Sequence, residues 1–282
     1  MIIYSNGCSH TAATIDYDIY YIDILAKVLN DKPSYEWINP TEGHYNTFKN
    51  IDFKSLSKNK NYLLKHAEHG KSNDLIFFET YNMVIDSVRC NNKIDYAIIQ
   101  FSGVNRRLQT IPDVDKDVKL IHVNPHDNSH LGVKLEPFAS EQSLQYLLIL
   151  QELFKTHNIP YVFIPYMEFD NNVLELTDKL HLIDTTRLTC SLYDGHRTDF
   201  RKRGYCRDAA GHPNYRGYYE LAMKCLDILN KEGIKPVEVY YSKEKRMFDD
   251  DLAEKQNFVK LFSKNLGDGT SDEIEKCKTP II

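Results

Sequence analysis

No stretch of the chain approaches the ~18 consecutive apolar residues needed to cross a bilayer, and its first residues lack the basic segment, apolar core and cleavage site of a secretory leader. The setting expected is cytoplasmic, with no membrane partner. The six cysteines (Cys8, Cys90, Cys190, Cys206, Cys225, Cys277) include no Cys-x-x-Cys pair and no tight spacing with histidine. Neither a redox dithiol nor a zinc knuckle is indicated, and free thiols are expected. A surplus of positive charge is also missing: 35 basic against 40 acidic residues leave a net charge of -5. That removes the overall electrostatic ground for a nucleic-acid partner. Internal repeats and low-complexity tracts are absent as well. A single tryptophan, Trp37, stands among many Lys, Asn, Ile and Tyr residues. This bias suits an AT-rich viral or bacterial genome, so a viral protein in host cytoplasm or virion is one expected setting.

What is present suffices for a large core. With 282 residues, 42% of them hydrophobic and 27% charged, the chain can fold without disulfide staples. Met1 to Tyr4 read as a strand that stops at the turn residues Ser5-Asn6-Gly7. Ile22, Leu25, Ala26 and Leu29 then follow helical spacing, so a helix is predicted over about 17–30. Residues 31–60 read as a long surface insertion, and Tyr62-Leu63-Leu64 as a second strand. Ser72 or Asn73 is predicted to cap a helix that turns Leu75, Phe78 and Ile85 inward. Asp95 to Phe101 is the clearest buried strand, closed by Ser102-Gly103. Residues 108–140 read as a second insertion. A helix over about 141–157 leads to a strand at 160–165, and a last amphipathic helix covers 214–231 with Gly233 beyond it. Alternating strands and helices predict an α/β domain over 1–233 with a mainly parallel sheet, followed by an appendage over 234–282.

Four polar points fall where such a sheet places its ligand-binding edge: Ser9 after the first strand, Gly70 before the second helix, Asn105 after the central strand, and His212 before the last helix. Each has a modest alternative as a cap, a turn or a loop residue. Their coincidence at successive strand ends is the signal.

In these residues the sequence resembles the SGNH (GDSL-like) hydrolases, whose signature is four short blocks in order. Gly7-Cys8-Ser9-His10-Thr11 looks like the nucleophile block, His69-Gly70-Lys71-Ser72-Asn73 like the second, Gly103-Val104-Asn105 like the G-x-N block, and Asp208 to His212 like the last. The resemblance spans roughly residues 1–230. It implies a three-layer α/β/α sandwich with a flavodoxin-like sheet, and a serine esterase that needs no metal or organic cofactor. Ser9 would be the nucleophile, His212 the base and Asp208 its orienting acid. The N–H groups of Ser9 and Gly70 and the amide of Asn105 would form the oxyanion hole. His10 and Arg106 are the candidate substrate-binding residues, and the substrate class is a small-molecule or glycan ester, such as an O-acetyl group on a carbohydrate. Acyl transfer to a sugar and a catalytically silent binding or virion role are the alternatives.

Departures from the pattern keep other assignments open. Asp208 lies four residues before His212 where the family has three, and Asp194 with His196 forms a competing pair. Cys8 replaces the aspartate of the GDS motif and is itself a candidate thiol nucleophile. Arg106-Arg107 and Arg201-Lys202-Arg203 could favour an anionic substrate, the second group reading more simply as solvated surface. His122, His126 and His130 have helical metal-ligand spacing, but the surrounding Asn, Pro and Asp residues predict a loop. The pairs Tyr20-Tyr21, Tyr218-Tyr219 and Tyr240-Tyr241 read as half-buried packing residues.

Overall fold

The structure, a computed structural model, describes residues 1–8, 11, 20–29, 36–38, 51–67, 71–103, 107–112, 118–123, 136–166, 180–191, 203, 213–231 and 233–234. In chain order the strands are β1 (Ile2–Gly7), β2 (Glu36–Ile38), β3 (Tyr62–Ala67), β4 (Tyr96–Gln100), β5 (Arg107–Pro112), β6 (Val118–Val123) and β7 (Tyr161–Ile164). The helices are α1 (Tyr21–Leu29), α2 (Asn73–Arg89), α3 (Glu136–Thr156) and α4 (Tyr215–Asn230). Five strands make one sheet in the order β2-β3-β1-β4-β7, with every neighbouring pair parallel. β5 and β6 form a separate antiparallel pair.

Alternation along each strand divides the core in two. Ile3, Leu63, Ile98 and Val162 point to the face covered by α1 and α4. Their neighbours Tyr4, Leu64, Ile99 and Phe163 point to the face covered by α2 and α3. Both faces of the parallel sheet are therefore buried, which is why its strands read as continuous apolar runs. On the first face Tyr20 and Tyr218 meet at 4.8 Å between ring centroids. On the second, Phe154 stacks on Tyr161 at 5.2 Å and meets Phe163 at 6.0 Å. The tyrosine pairs of α1 and α4 are thus fully in the core rather than half-buried; Tyr240-Tyr241 lie outside the described residues.

Helix ends follow local chemistry. The Ser72 side chain accepts from the Leu75 N–H, and that of Asn214 from the Arg216 and Gly217 N–H groups, capping α2 and α4. Gly233 supplies the left-handed turn (φ +83°) beyond α4.

Four sequence expectations are corrected. β1 runs on through Ser5, Asn6 and Gly7, which pair with Lys65, His66 and Ala67 of β3 where a turn was expected, because Ser5 and Asn6 are buried, Asn6 in hydrogen bonds, rather than turned to solvent. The 31–60 segment is not wholly a surface insertion: β2 adds an edge strand to the sheet, and Phe53 and Leu56 enter the core. In 108–140 the strands β5 and β6 stand where loops were expected, so His122 lies in a strand; His126 and His130 are outside the described residues. Leu75 of α2 is buried as expected, but the inward face is otherwise different: Asn73, Ile76, Glu79, Thr80, Met83, Val84 and Ser87 are buried with it, while Phe78 is 49% exposed. Half of that buried stripe is polar, so hydrophobic periodicity misplaces it.

Among the described residues no helix is long and apolar enough to cross a membrane. Of the appendage over 234–282 only Ile234 is described, and it packs against the core on the α1 and α4 side. Truncating Phe154 tests the α3 side of the core: Phe154→Ala should lower stability by ~3–5 kcal/mol in urea unfolding, with an unchanged denaturant slope.

Candidate functional site

Strand order fixes where a ligand can meet the sheet. From β1 the chain goes on to β2 and β3 on one side, then crosses to β4 and β7 on the other. The carboxyl ends of β1 and β4 therefore flank the topological switch point, where α/β sheets hold ligands. Ser9 follows β1 by two residues, Gly70 follows β3 by three, and Asn105 follows β4 by five. These three strands are neighbours in the sheet, so their exits share one edge.

Ser9, His10, Gly70, Asn105, Arg106, Asp208 and His212 themselves lie outside the described residues, as do Asp194 and His196. What is described is how the chain is held beside them. Cys8, one peptide bond before Ser9, is completely buried. Its N–H donates to Gln100 Oε1 at 3.1 Å, and Gln100 Nε2 donates to the Cys8 sulfur at 3.0 Å. Cys8 is therefore a packed thiol and not an exposed nucleophile, contrary to that alternative. Thr11 closes a four-residue turn, its N–H donating to the Cys8 carbonyl at 2.9 Å, with positions 9 and 10 between them. The Thr11 hydroxyl donates to Gln100 Oε1 at 3.0 Å and accepts from the Tyr21 hydroxyl at 2.9 Å. One glutamine at the end of β4 thus binds both ends of that turn.

Gly7 belongs to the same lock. A Cβ there would stand 2.6 Å from Thr11 Oγ1 and 2.9 Å from both Cβ and Oε1 of Gln100. A side chain fits only if Thr11 or Gln100 shifts.

The opposite face of the sheet carries a second buried network. Lys71, one residue after Gly70, is fully buried and its ammonium donates to Glu79 Oε2, to the His66 carbonyl at 2.6 Å and to Asn6 Oδ1 at 3.1 Å. Asn6 Oδ1 also accepts the Gly7 N–H at 2.8 Å, while its amide lies within 3.0 to 3.2 Å of Tyr4 Oη, Glu79 Oε2, Thr80 Oγ1 and the Ile76 carbonyl. Tyr4 in turn meets His66 Nδ1 at 3.1 Å. Burial, then the nearby Lys71 charge, hold the His66 imidazole well below its ordinary pKa. It is neutral, and a proton on Nε2 leaves Nδ1 to accept from the Tyr4 hydroxyl. Burial and the Glu79 charge likewise raise the Tyr4 phenol, which stays protonated.

The remaining exits are pinned in the same manner. The Asn73 side chain accepts the Ser102 N–H at 2.7 Å and donates to the Ser102 carbonyl at 3.1 Å and to Ser143 Oγ at 2.9 Å, holding the chain just before Gly103 and Asn105. Pro213 and the capping Asn214, immediately after His212, are buried at the start of α4. One turn further on, the Tyr218 ring lies 6.5 Å from that of Tyr21, whose hydroxyl holds Thr11.

Other features stand apart from this edge. Lys65 pairs with Asp23 at 3.6 Å and lies over the Tyr20 ring at 4.5 Å, away from water. Burial pushes the Asp23 carboxyl up and the Lys65 ammonium down, each against the pull of its partner. Arg203 reaches Glu220 at 2.8 Å on the exposed side of α4, as a solvated surface group would. Among the described residues no three of the His, Cys, Asp and Glu side chains gather to hold a metal ion. Sequence reading gave no anchoring role to Asn6, Lys71, Glu79 or Gln100, taking Asn6 for a turn residue. Their one signal was polar residues within otherwise apolar runs, as in Ile98-Ile99-Gln100-Phe101.

No protein-family model matches the chain, and no curated protein is significantly similar to it.

Two measurements check the networks. Gly7→Ala should cost about 1–3 kcal/mol of stability by forcing Thr11 or Gln100 aside, read from denaturant midpoints. Neutral burial of His66 means the unfolded chain binds the extra proton first, so stability falls as pH drops below about 6.5, by up to ~1.4 kcal/mol per pH unit. Unfolding curves from pH 7.5 to 5 should show that slope, and His66→Asn, which keeps an acceptor near Nδ1, should flatten it.

Proposed function

We propose that the chain is a serine esterase of the SGNH type, built as a three-layer α/β/α sandwich. It removes an acyl group, best suited to an O-acetyl group on a carbohydrate. One observation carries this reading: the segments bearing Ser9, Gly70 and Asn105 leave the carboxyl ends of the three adjacent parallel strands β1, β3 and β4 at the switch point. The order β3-β1-β4-β7 is the 2-1-3-4 order of a flavodoxin-like sheet, with β2 added at its edge.

In this mechanism Ser9 Oγ attacks the ester carbonyl while His212 takes its proton. Negative charge develops on the carbonyl oxygen, toward which the N–H groups of Ser9 and Gly70 and the Asn105 amide donate. Collapse of the tetrahedral species breaks the bond to the sugar oxygen, and His212 protonates the departing alcohol. Water then adds to the acyl-enzyme with His212 again as base, releasing carboxylate and free Ser9. Asp208 orients the imidazole and stabilises its cationic form. The buried anchors at Cys8, Lys71 and Ser102 support the reading because an oxyanion hole works only when its donors are fixed before the charge develops.

Purified protein should hydrolyse p-nitrophenyl acetate and be labelled at Ser9 by a fluorophosphonate, located by peptide mass spectrometry. Ser9→Ala should abolish both, Asn105→Ala should lower kcat by about 10²–10³-fold, and Asp208→Asn should fall further than Asp194→Asn. A folded wild-type protein that neither turns over nor labels would replace this reading with a binding or structural role.

A further inference from the structure

The fold contains a charge for which the esterase mechanism has no direct use. Lys71 is fully buried and joins three elements at once: β1 through Asn6, the end of β3 through the His66 carbonyl, and α2 through Glu79. Asn6 and Glu79 are bonded to each other as well, at 3.0 Å, so the contacts close into a ring. Lys71 follows Gly70 directly, and the Asn6 side chain also holds the Gly7 N–H. The same ammonium therefore grips the chain next to two of the proposed oxyanion donors.

We propose that Lys71 and Glu79 are positioning residues: their buried ion pair clamps the exits of β1 and β3 into one rigid unit and so sets the spacing between the Ser9 and Gly70 segments. The catalytic half of this statement rests on the esterase reading, whereas the rigid unit itself does not. A long, strongly hydrated side chain is a poor choice for a site that only needs filling. Its value here lies in directionality: three bonds from one ammonium fix three chain segments along set directions, which an apolar side chain of equal volume cannot do. Glu79 supplies the opposite charge, and its contact with the Asn6 amide keeps that amide's oxygen turned toward Lys71 and Gly7.

The test compares wild type, Lys71→Met/Glu79→Gln and Phe154→Ala. The double substitution removes both charges together and keeps an acceptor for Asn6, and Phe154→Ala is a destabilised control remote from the exits. Amide hydrogen exchange is followed in peptides covering residues 5–11 and 66–73, alongside kcat and KM for p-nitrophenyl acetate. In the double variant, exchange should rise about tenfold or more in both peptides and stay near wild type in β7 and α4. Its kcat should fall at least about tenfold with KM within about twofold, whereas the control should lose stability without that split. Exchange unchanged in the 5–11 peptide of the folded double variant would overturn the clamp. Loosened exits with kcat intact would overturn its catalytic role. If wild type shows no turnover, the esterase reading fails on its own and exchange alone decides the clamp. Should the double variant not fold, Glu79→Gln, which leaves the other Lys71 bonds in place, is read by the same criteria.

Discussion

The withdrawal of the Lys71 ammonium from water constrains everything around it. A buried ion carries a desolvation penalty of several kcal/mol, so it must be surrounded by acceptors in good geometry or the fold is lost. Those acceptors come from β1, β3 and α2, which ties the position of one helix to the register of two strands. Neutral His66 and protonated Tyr4 follow from the same condition, because a further charge in this volume would have no compensation. The arrangement is specific more than it is strong: apolar side chains could fill the volume, but they would not dictate where the chain turns.

A gradient of polarity runs along the sheet. Its amino-terminal half is apolar on both faces, with Ile2, Ile3, Leu63, Leu64 and Ala97. Its carboxyl-terminal half adds buried polar residues beside the apolar Ile98, Ile99 and Phe163: Ser5 and Asn6 on β1, Lys65 and His66 on β3, Gln100 on β4. Gln100 serves the face covered by α1 and α4, and Asn6 the face covered by α2 and α3. The edge is thereby braced from both sides. Hydrophobic packing alone is non-directional. Directional bonds appear where the proposed chemistry would require fixed angles.

This gradient also explains what the sequence could and could not reveal. β4, β7, α4 and the first half of β1 were legible because their inward positions are mostly apolar, as in Tyr218, Leu221, Ala222, Cys225 and Leu229, whereas the buried Ser5 and Asn6 made the second half of β1 read as a turn. The face of α2 was not, since Glu79, Thr80 and Ser87 are buried for their hydrogen bonds while Phe78 is exposed. The β5-β6 pair was hidden for another reason: the five residues between its strands, Asp113 to Asp117, contain no glycine or asparagine to signal a hairpin. β2 is only three residues long and offers too little pattern to read. For the site, the sequence supplied the order of the candidate residues. It was silent on the anchors, because a lysine or glutamine in an apolar run does not announce whether it is buried and paired.

The central place of β1 has a consequence for how the protein is made. This strand pairs on one side with residues 62–67 and on the other with residues 96–100. It is synthesised before either neighbour, so one edge of its backbone N–H and C=O groups waits about 60 residues for β3 and the other about 95 for β4, the second wait lasting roughly 5–20 s at ribosomal speeds of ~5–20 residues per second. Until residues 62–64 have been made, Ile2, Ile3 and Tyr4 have no native partner in the sheet. The nascent chain therefore carries an unpaired strand edge early in its synthesis, and a pause in translation before residue 100 would lengthen that exposure.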